Sequence, residues 1–366
     1  MIDIQINVRN KFSGLLKEIN IPQYEDQEMQ TQKYGRINQF IHDNIPTSLY
    51  RYRTTEDHNI QALKRDYLPV TKPCNMGDIF DSLIAIDSDR VASAIAFELE
   101  TINIDAMAKS LFDGRAIPKD LLRLLDPHTQ AFIQANLPRL KSDISLKPML
   151  EVVFGDIKKY IAQQVQSLEN TTVNTLQHIR FIACFCEDVS LVDMWSDYAG
   201  KHTGFALEYN FKEQELLCLK KHSNCKNIQM KHPLFPVIYN ESYDATDYAL
   251  YIFQNYLMSM KTNNTMHMQF FDWLFYIKGY AYKAERYRRE GEWRLLTRME
   301  KSDTYYFDLK PYASIPLSPS AIYFGAKMKN DTFEALNQIA VEIGLKRYRM
   351  VDDPLTRTVI PIPILS

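Results

Sequence analysis

The sequence predicts an α+β fold in which short β-strands form the core and amphipathic helices surround it. Two apolar runs rich in β-favouring residues, at 181–186 and 204–209, flank a polar stretch of loop length. A third run of this kind follows at 293–296, and patterns at helical spacing lie before and between these runs. Strands and helices mixed in this way are typical of an α+β domain.

The helical patterns also predict the domain organisation. Residues 1–45 are polar with apolar residues at helical spacing, and Pro46 ends that pattern. Longer helical patterns lie at about 84–176 and 244–284. We therefore predict a helical N-terminal extension over residues 1–45 and a single α+β domain over 46–366, which these two helical insertions interrupt.

Composition and charge narrow the class of protein. The chain has 366 residues, of which 46% are hydrophobic and 24% charged, and its formal net charge of −2 gives no overall attraction to nucleic acid. It contains neither of the glycine-rich phosphate-binding motifs GxGxxG and GxxxxGK[ST]. No apolar run reaches about 18 residues, and the N-terminus lacks the apolar core of a signal peptide. We therefore expect no membrane partner. The five cysteines are odd in number and have no CxxC spacing, so we expect a cytoplasmic protein with no metal.

The first predicted strand is LYRYR at residues 49–53. Alternation places Leu49, Arg51 and Arg53 on one face and the two tyrosines on the other. An arginine on an inward face is costly unless it meets an anion. The alternative is an edge strand whose arginines are solvated.

The stretch from Arg180 to Tyr209 holds the densest group of candidate site residues. Its two predicted strands flank a loop that carries Trp195, Tyr198 and His202 among other hydrogen-bonding and stacking groups. A mere connector does not require such a composition. The alternative is that the two aromatic residues belong to the core and the histidine to the surface.

A pair of glutamates lies in YRREGEWRLLTR, residues 287–298. Residues 293–296 continue as a strand, so alternation places Glu290, Glu292 and Arg294 on one face. The structural interpretation is a salt-bridged strand. The functional interpretation is that one carboxylate stabilises a positively charged glycosyl transition state while the other orients a nucleophile.

The C-terminal part predicts further elements of the same sheet. AIYFGAKM at 321–328 is a strand that ends at Gly325, and DTFEALNQIAVEIGL at 331–345 is an amphipathic helix. KRYRMVD and TVIPIPI are the closing strands.

Four blocks of this sequence resemble a widespread bacterial family of unknown function. That family is marked by a KYR-like strand, an MWxxYAxxHxGF block and an ExEWR strand. These correspond here to LYRYR, to MWSDYAGKHTGF within 185–209 and to EGEWR within 283–295, and AIYFGAKM follows them. The blocks follow the family's order. At CNMGDIFDS, residues 74–82, the chain departs from the family's usual FNDPFD.

The order of these blocks is also similar, more remotely, to that of ADP-ribosyltransferases. The resemblance implies a mixed, strongly bent β-sheet and NAD as the substrate. It implies catalytic roles for Glu292, Glu290, Tyr198 and His202, and contacts with NAD for Arg51, Tyr52, Arg53, Trp195, Ser196 and Gly204.

We therefore expect an NAD-consuming, ADP-ribosyltransferase-like enzyme, acting as a bacterial toxin or an antiviral defence effector on a protein or nucleic-acid target. Glu292 is the leading catalytic candidate. The alternatives are a nucleic-acid-processing hydrolase and a non-catalytic module that binds a nucleotide or a protein. If the enzyme hypothesis holds, Arg53, residues 204–208 and the two glutamates converge on one cleft, and the insertions pack outside it.

Overall fold

The computed structural model of the protein is built around a mixed β-sheet of ten strands. It describes residues 2–18, 27–65, 67–77, 85–87, 90, 131, 135, 170, 176–178, 180–211, 234–240, 246, 277–296, 312–315 and 317–365. The predicted α+β class with a mixed sheet is confirmed. The predicted insertions at 84–176 and 244–284 lie mostly outside the described residues, although the end of the second one, 277–284, is described.

The strands are β1 (Leu49–Arg53), β2 (Leu68–Thr71), β3 (Ile182–Cys186), β4 (Phe205–Tyr209), β5 (Leu234–Pro236), β6 (Ile238–Tyr239), β7 (Tyr282–Lys283), β8 (Glu292–Leu296), β9 (Tyr312–Ile315), β10 (Ala321–Phe324), β11 (Lys346–Asp353) and β12 (Thr358–Pro363). The main sheet runs β12-β11-β10-β4-β1-β3-β2-β9, β8 pairs with β3 and β5, and β6 and β7 form a separate parallel pair. Only β10 and β11 are parallel neighbours among the described strands of the main sheet.

The helices are α1 (Ile2–Glu18), α2 (Gln27–Asn44), α3 (Asp57–Lys64), α4 (Val192–Asp197) and α5 (Asn330–Glu342), with 3₁₀ segments at Pro73–Asn75 and Glu285–Glu290. The α5 helix links the parallel strands β10 and β11, as a crossover between parallel strands requires. Within the described ranges, no helix has both the length and the apolar character needed to cross a membrane.

The N-terminal helices belong to the main core. Phe12 and Leu16 of α1 and Ile37 and Ile41 of α2 are fully buried in the same hydrophobic cluster as the sheet. Their burial is the hydrophobic contribution that holds these two helices against the rest of the fold. The segment predicted as an extension is helical, and it packs as an integral part of the structure.

The central strand β3 has a fork at one of its edges. Strand β8 pairs with β3 along its whole length, from Ile182 to Cys186, and so occupies one edge. The remaining edge is shared, because β1 pairs with it at Cys186 and β2 pairs with it at Ile182. Since both are antiparallel to β3, β1 and β2 run in the same direction and separate from each other between these two points.

The pairing register fixes which side chains share a face. Tyr50 is paired with Cys186, and Cys186 is paired with Glu292, so these three side chains lie on one face. Alternation along β1 then places Arg51 and Arg53 on the other face. We call the first the glutamate face and the second the arginine face.

The loop between α4 and β4 approaches β1 closely at Gly204. A Cβ atom at this position would lie 2.1 Å from the carbonyl oxygen of Arg53 and 2.8 Å from that of Ala199. Both are backbone atoms, which cannot move aside as a flexible side chain can. The loop can therefore lie this close to β1 only because residue 204 has no side chain.

Gly204→Ala should destabilise the protein for this reason. Overpacking of this kind costs about 1–3 kcal/mol, and contact with backbone places the expected loss at the upper end. Denaturation in urea, followed by circular dichroism, measures the change. Gly14→Ala is the matched control, since nothing lies within 4 Å of its Cβ and alanine within a helix stabilises by about 0.5–1 kcal/mol. Equal stability of the two variants would contradict the prediction.

Candidate functional site

The two glutamates lie in different secondary structure. Glu290 ends the 3₁₀ segment, Gly291 follows in a left-handed conformation with φ of 54°, and Glu292 begins β8. The prediction that both glutamates belong to one strand is wrong, because the left-handed glycine ends the preceding turn before the strand starts. The prediction that Glu292 and Arg294 share a face is confirmed by their contact.

Lys283 joins the two carboxylates. Its Nζ atom donates hydrogen bonds to Glu290 Oε2 at 2.6 Å and to Glu292 Oε2 at 2.8 Å. The lysine lies on β7 and is buried. Burial disfavours its charge, but the two carboxylates outweigh this and raise its pKa, so the ammonium group stays protonated.

Glu292 is the buried member of the pair. It is 3% exposed, and its Oε1 accepts a hydrogen bond of 2.7 Å from Arg294 Nε. Its backbone N–H donates to Tyr239 Oη at 2.7 Å. Burial opposes ionisation, yet the charges of Arg294 and Lys283 together hold its pKa below the usual range. Glu292 therefore remains ionised at neutral pH.

Glu290 is the more accessible member. Its side chain is 12% exposed, and Tyr198 Oη donates to its Oε1 at 3.0 Å. Burial and then the charge of Glu292 raise its pKa, against the opposing effect of Lys283. The neighbouring Tyr198 is 43% exposed, so an aromatic ring and a carboxylate with a raised pKa lie together at the surface.

A second ion pair supports this cluster from the N-terminal helix. Arg9 Nη2 donates to Glu187 Oε1 at 2.8 Å and to the carbonyl oxygen of Glu292 at 3.3 Å. The indole N–H of Trp293 donates to the same Glu187 oxygen at 2.6 Å. The start of β8 is thus held from α1 as well as from its neighbouring strands.

The predicted aromatic site residues are divided between core and surface. Trp195 has no exposed area, its indole N–H donates to the carbonyl of Val189 at 2.7 Å, and its ring packs edge-on against Tyr52. Trp195 is therefore a core aromatic, as in the alternative interpretation of the sequence, and Tyr52 is also buried in the core. Tyr198 instead lies at the surface, and Ser196 is exposed on α4 beside it. Of the three aromatic residues Tyr52, Trp195 and Tyr198, it is Tyr198 that contacts a glutamate.

His202 lies at the other end of this loop. It is the third of three consecutive residues with left-handed φ, after Gly200 at 56° and Lys201 at 55°, and its own φ is 71°. Its Nδ1 atom is buried without a hydrogen-bond partner. Burial and then the charge of Lys327 lower its pKa, so the imidazole is neutral at physiological pH. This environment is formed with the β10–α5 connection and not with the two glutamates.

Arg51 and Arg53 are on the arginine face, and this corrects the prediction of a single cleft. The alternation along each strand was predicted, but it does not show which faces of different strands coincide. Tyr50 pairs with Cys186, and Cys186 pairs with Glu292, so the tyrosines of β1 share a face with the glutamate. The arginines consequently point away from Glu292.

Sequence reasoning missed several residues of the cluster, namely Arg9, Glu187, Tyr239 and Lys283. Lys283 stands in the KAERYRRE block, where its spacing to Glu290 offers a weak signal of a turn that folds back. Arg9 and Tyr239 are remote in the sequence, and no local pattern marks them. Among the described residues, no group of three or more His, Cys, Asp or Glu is arranged to hold a metal ion.

Comparison with known proteins gives one family match. A family model described as a protein of unknown function (DUF2971) matches residues 194–295. The match covers a little over a quarter of the 366 residues, from the helix that carries Trp195 to the strand that carries Glu292. It supports the predicted similarity to a family of unknown function. No curated protein and no solved structure matches the chain.

Glu292 should contribute stability that is lost in acid. Its folded pKa lies below the ordinary value of 4.5, so the contribution is present above that value and disappears as the pH falls through the lowered folded pKa. At neutral pH, Glu292→Gln should lower the free energy of unfolding by about 3–5 kcal/mol, because it breaks a buried ion network. Urea denaturation at neutral pH and at several values below 4.5 should show the wild type and the variant converging in acid.

Glu334→Gln is the control for this measurement. Glu334 is exposed on α5, where a substitution changes stability by less than about 0.5 kcal/mol. A difference between wild type and Glu292→Gln that stays constant with pH would show that the carboxylate charge is not what stabilises the cluster.

Proposed function

We propose that the chain cleaves the N-glycosidic bond of NAD and transfers the ADP-ribosyl group to water or to a macromolecule. One observation carries the proposal. Glu290 and Glu292 share the ammonium group of Lys283, and their environments shift their pKa values in opposite directions. Two carboxylates separated in this way are the usual basis for dividing a reaction between an acid–base residue and a permanently charged one.

The reaction uses the two carboxylates differently. The bond between the ribose C1′ and the nicotinamide nitrogen breaks, its electron pair leaves with the nicotinamide, and positive charge develops on the ribose. As the nicotinamide leaves, a nucleophile forms a bond to C1′ and gives up its proton in the same step. Glu290 accepts that proton, a role that its raised pKa favours, while the fixed charge of Glu292 stabilises the cationic ribose electrostatically.

Glu290 is less buried than Glu292, so within the proposal it is the residue that contacts the reacting groups. The sequence favoured Glu292, but both oxygens of that carboxylate are occupied by Lys283 and Arg294, and the residue is 3% exposed. Glu290 is closer to solvent and beside the exposed ring of Tyr198. A nicotinamide or adenine ring stacked on that tyrosine would lie next to Glu290.

The phosphates of NAD need cations on the same side as Glu290. Arg51 and Arg53 lie on the arginine face, so they do not supply them. The 3₁₀ segment that ends at Glu290 carries Arg288 and Arg289, and the side chain of Arg289 is 87% exposed. Guanidinium groups in this position match the geometry of phosphate oxygens.

The resemblance to ADP-ribosyltransferases supports the choice of NAD and, within the proposal, an ADP-ribosyltransferase-like fold. A role as a bacterial toxin or antiviral defence effector belongs to the same proposal and rests on that resemblance. It leaves the macromolecular target as either a protein or a nucleic acid.

A second candidate function is a non-catalytic binding module. The observation that favours it is that all four carboxylate oxygens of Glu290 and Glu292 already accept hydrogen bonds from protein groups. In that case the network stabilises the fold, and its loss changes stability without removing a reaction.

Glu290→Gln should abolish nicotinamide release while leaving the protein folded. Loss of one positioned catalytic group lowers the rate by about 10²–10³-fold, and glutamine preserves the shape of the side chain. The assay incubates purified protein with NAD, with and without lysate as a source of targets, and follows free nicotinamide. Glu334→Gln is the control, because that glutamate is exposed on α5 and belongs to neither the glutamate cluster nor the 3₁₀ segment.

Two results would end the proposal. One is wild-type protein that releases no nicotinamide under any of these conditions. The other is Glu290→Gln protein that releases it at the wild-type rate. Either result would favour the binding module.

Tyr198→Ala should raise the KM for NAD by more than Tyr198→Phe does. Stacking of a base on an aromatic ring contributes about 1–3 kcal/mol, which corresponds to roughly 5–150-fold in affinity. Phenylalanine keeps the ring and loses only the hydrogen bond to Glu290. Steady-state kinetics distinguish the two variants, and equal KM values for both would place the ring outside the substrate site.

A further inference from the structure

The fork between β1 and β2 holds two arginines that the proposed reaction does not use. We propose that this fork binds an oxyanion, the phosphate group of a small ligand, on the arginine face of the sheet. The site is separate from the glutamates, and the inference goes beyond the proposed cleavage of NAD.

Arg51 bridges the fork. It is buried, and its Nη1 donates to the carbonyl oxygen of Pro69 on β2 at 2.6 Å. Its guanidinium carbon lies 5.9 Å from the centre of the Phe185 ring. The side chain is thus held by a backbone acceptor and an aromatic face, and both leave its positive charge unneutralised.

Arg53, two residues further along β1, has an unsatisfied buried donor. Its Nη2 atom is buried without a hydrogen-bond partner, although the residue as a whole is partly exposed. Burial and then the charge of Arg51 lower the pKa of Arg53 to about 9. Within the described part of the chain, no ion pair joins either arginine to a carboxylate. On the arginine face, β1 therefore carries two positive charges close together beside the fork, and one of their donors has no acceptor.

Two other buried guanidinium groups among the described residues are neutralised. Arg294 contacts Glu292 at 2.7 Å, and Arg9 contacts Glu187 at 2.8 Å. Burying a cation with no counter-charge is expensive, and losing a hydrogen bond to a buried charged group adds to that cost. An anion supplied from solvent would remove both costs at the fork.

A phosphate group fits these donors best. Guanidinium groups bind phosphate oxygens through paired N–H donors, and two arginines give a charge that matches a dianion. The partial exposure of Arg53 gives such a group access from solvent. The source is either free phosphate or a phosphate carried by a nucleotide.

Calorimetric titration with inorganic phosphate and with ADP, at constant ionic strength set by chloride, tests the proposal. Wild-type protein should bind at least one of the two with saturation. Arg53→Gln should weaken that binding by about ten- to hundredfold, the effect of losing a hydrogen bond to a charged group. Arg65→Gln, which removes an exposed arginine at the end of α3, should bind like wild type. Tighter binding of ADP would identify a nucleotide as the source, and equal affinity would identify free phosphate.

Thermal unfolding gives a second readout that a purely structural arginine would not produce. In phosphate-free buffer, Arg53→Gln should unfold at the same temperature as wild type or higher, because it removes an unneutralised buried charge. Addition of phosphate should raise the unfolding temperature of wild type and leave that of the variant unchanged.

Three outcomes would overturn the proposal. These are wild type that binds neither probe, Arg53→Gln that loses the same stability with and without phosphate, and binding that Glu290→Gln also abolishes. The last would mean that one ligand spans both faces. Failure of NAD cleavage with phosphate binding intact would instead reject only the proposed function.

Discussion

Strand β3 has two edges, and three strands pair with it. Because β8 occupies one edge over five residue pairs, β1 and β2 must divide the other and separate from each other. This constraint sets the position of everything polar in the core. It fixes β8, and with it Glu292, rigidly in the sheet, and it opens the fork in which Arg51 and Arg53 lie. The same pairing aligns the tyrosines of β1 with the glutamate and turns the arginines away from it.

The two faces treat buried charge in opposite ways. On the glutamate face, Lys283 and Arg294 contact Glu290 and Glu292, so the buried cations are matched by an equal number of carboxylates. Such a network contributes little net stability compared with an apolar core, but removal of one member is costly. On the arginine face, two cations lie against apolar rings and backbone oxygen with no carboxylate described beside them. On the glutamate face the charges are neutralised within the protein. On the arginine face they are left for the proposed anion to neutralise.

Sequence patterns predicted the individual strands and helices better than the way in which these elements pair and pack. Alternation in residues 204–209 correctly separated Phe205 and Leu207 from Ala206 and Glu208, because successive side chains of a strand point to opposite faces. Alternation cannot say which face of one strand matches which face of another, since that depends on a register set by pairing. The cluster around Lys283 was out of reach for a related reason. Its members come from α1, β6, β7, β8, the 3₁₀ segment and the residues that directly follow β3 and α4, and only the folded chain brings them together.

The difference between the two glutamates follows from the one residue that separates them. Had the strand continued through Gly291, both carboxylates would lie side by side on one face, in similar environments and with mutual repulsion. The left-handed conformation at Gly291 turns the chain, leaves Glu292 in the sheet between Arg294 and Lys283, and carries Glu290 outward to Tyr198. A residue with a side chain adopts that conformation only at a cost. The backbone at Gly291 therefore creates the asymmetry on which acid–base chemistry with two carboxylates depends.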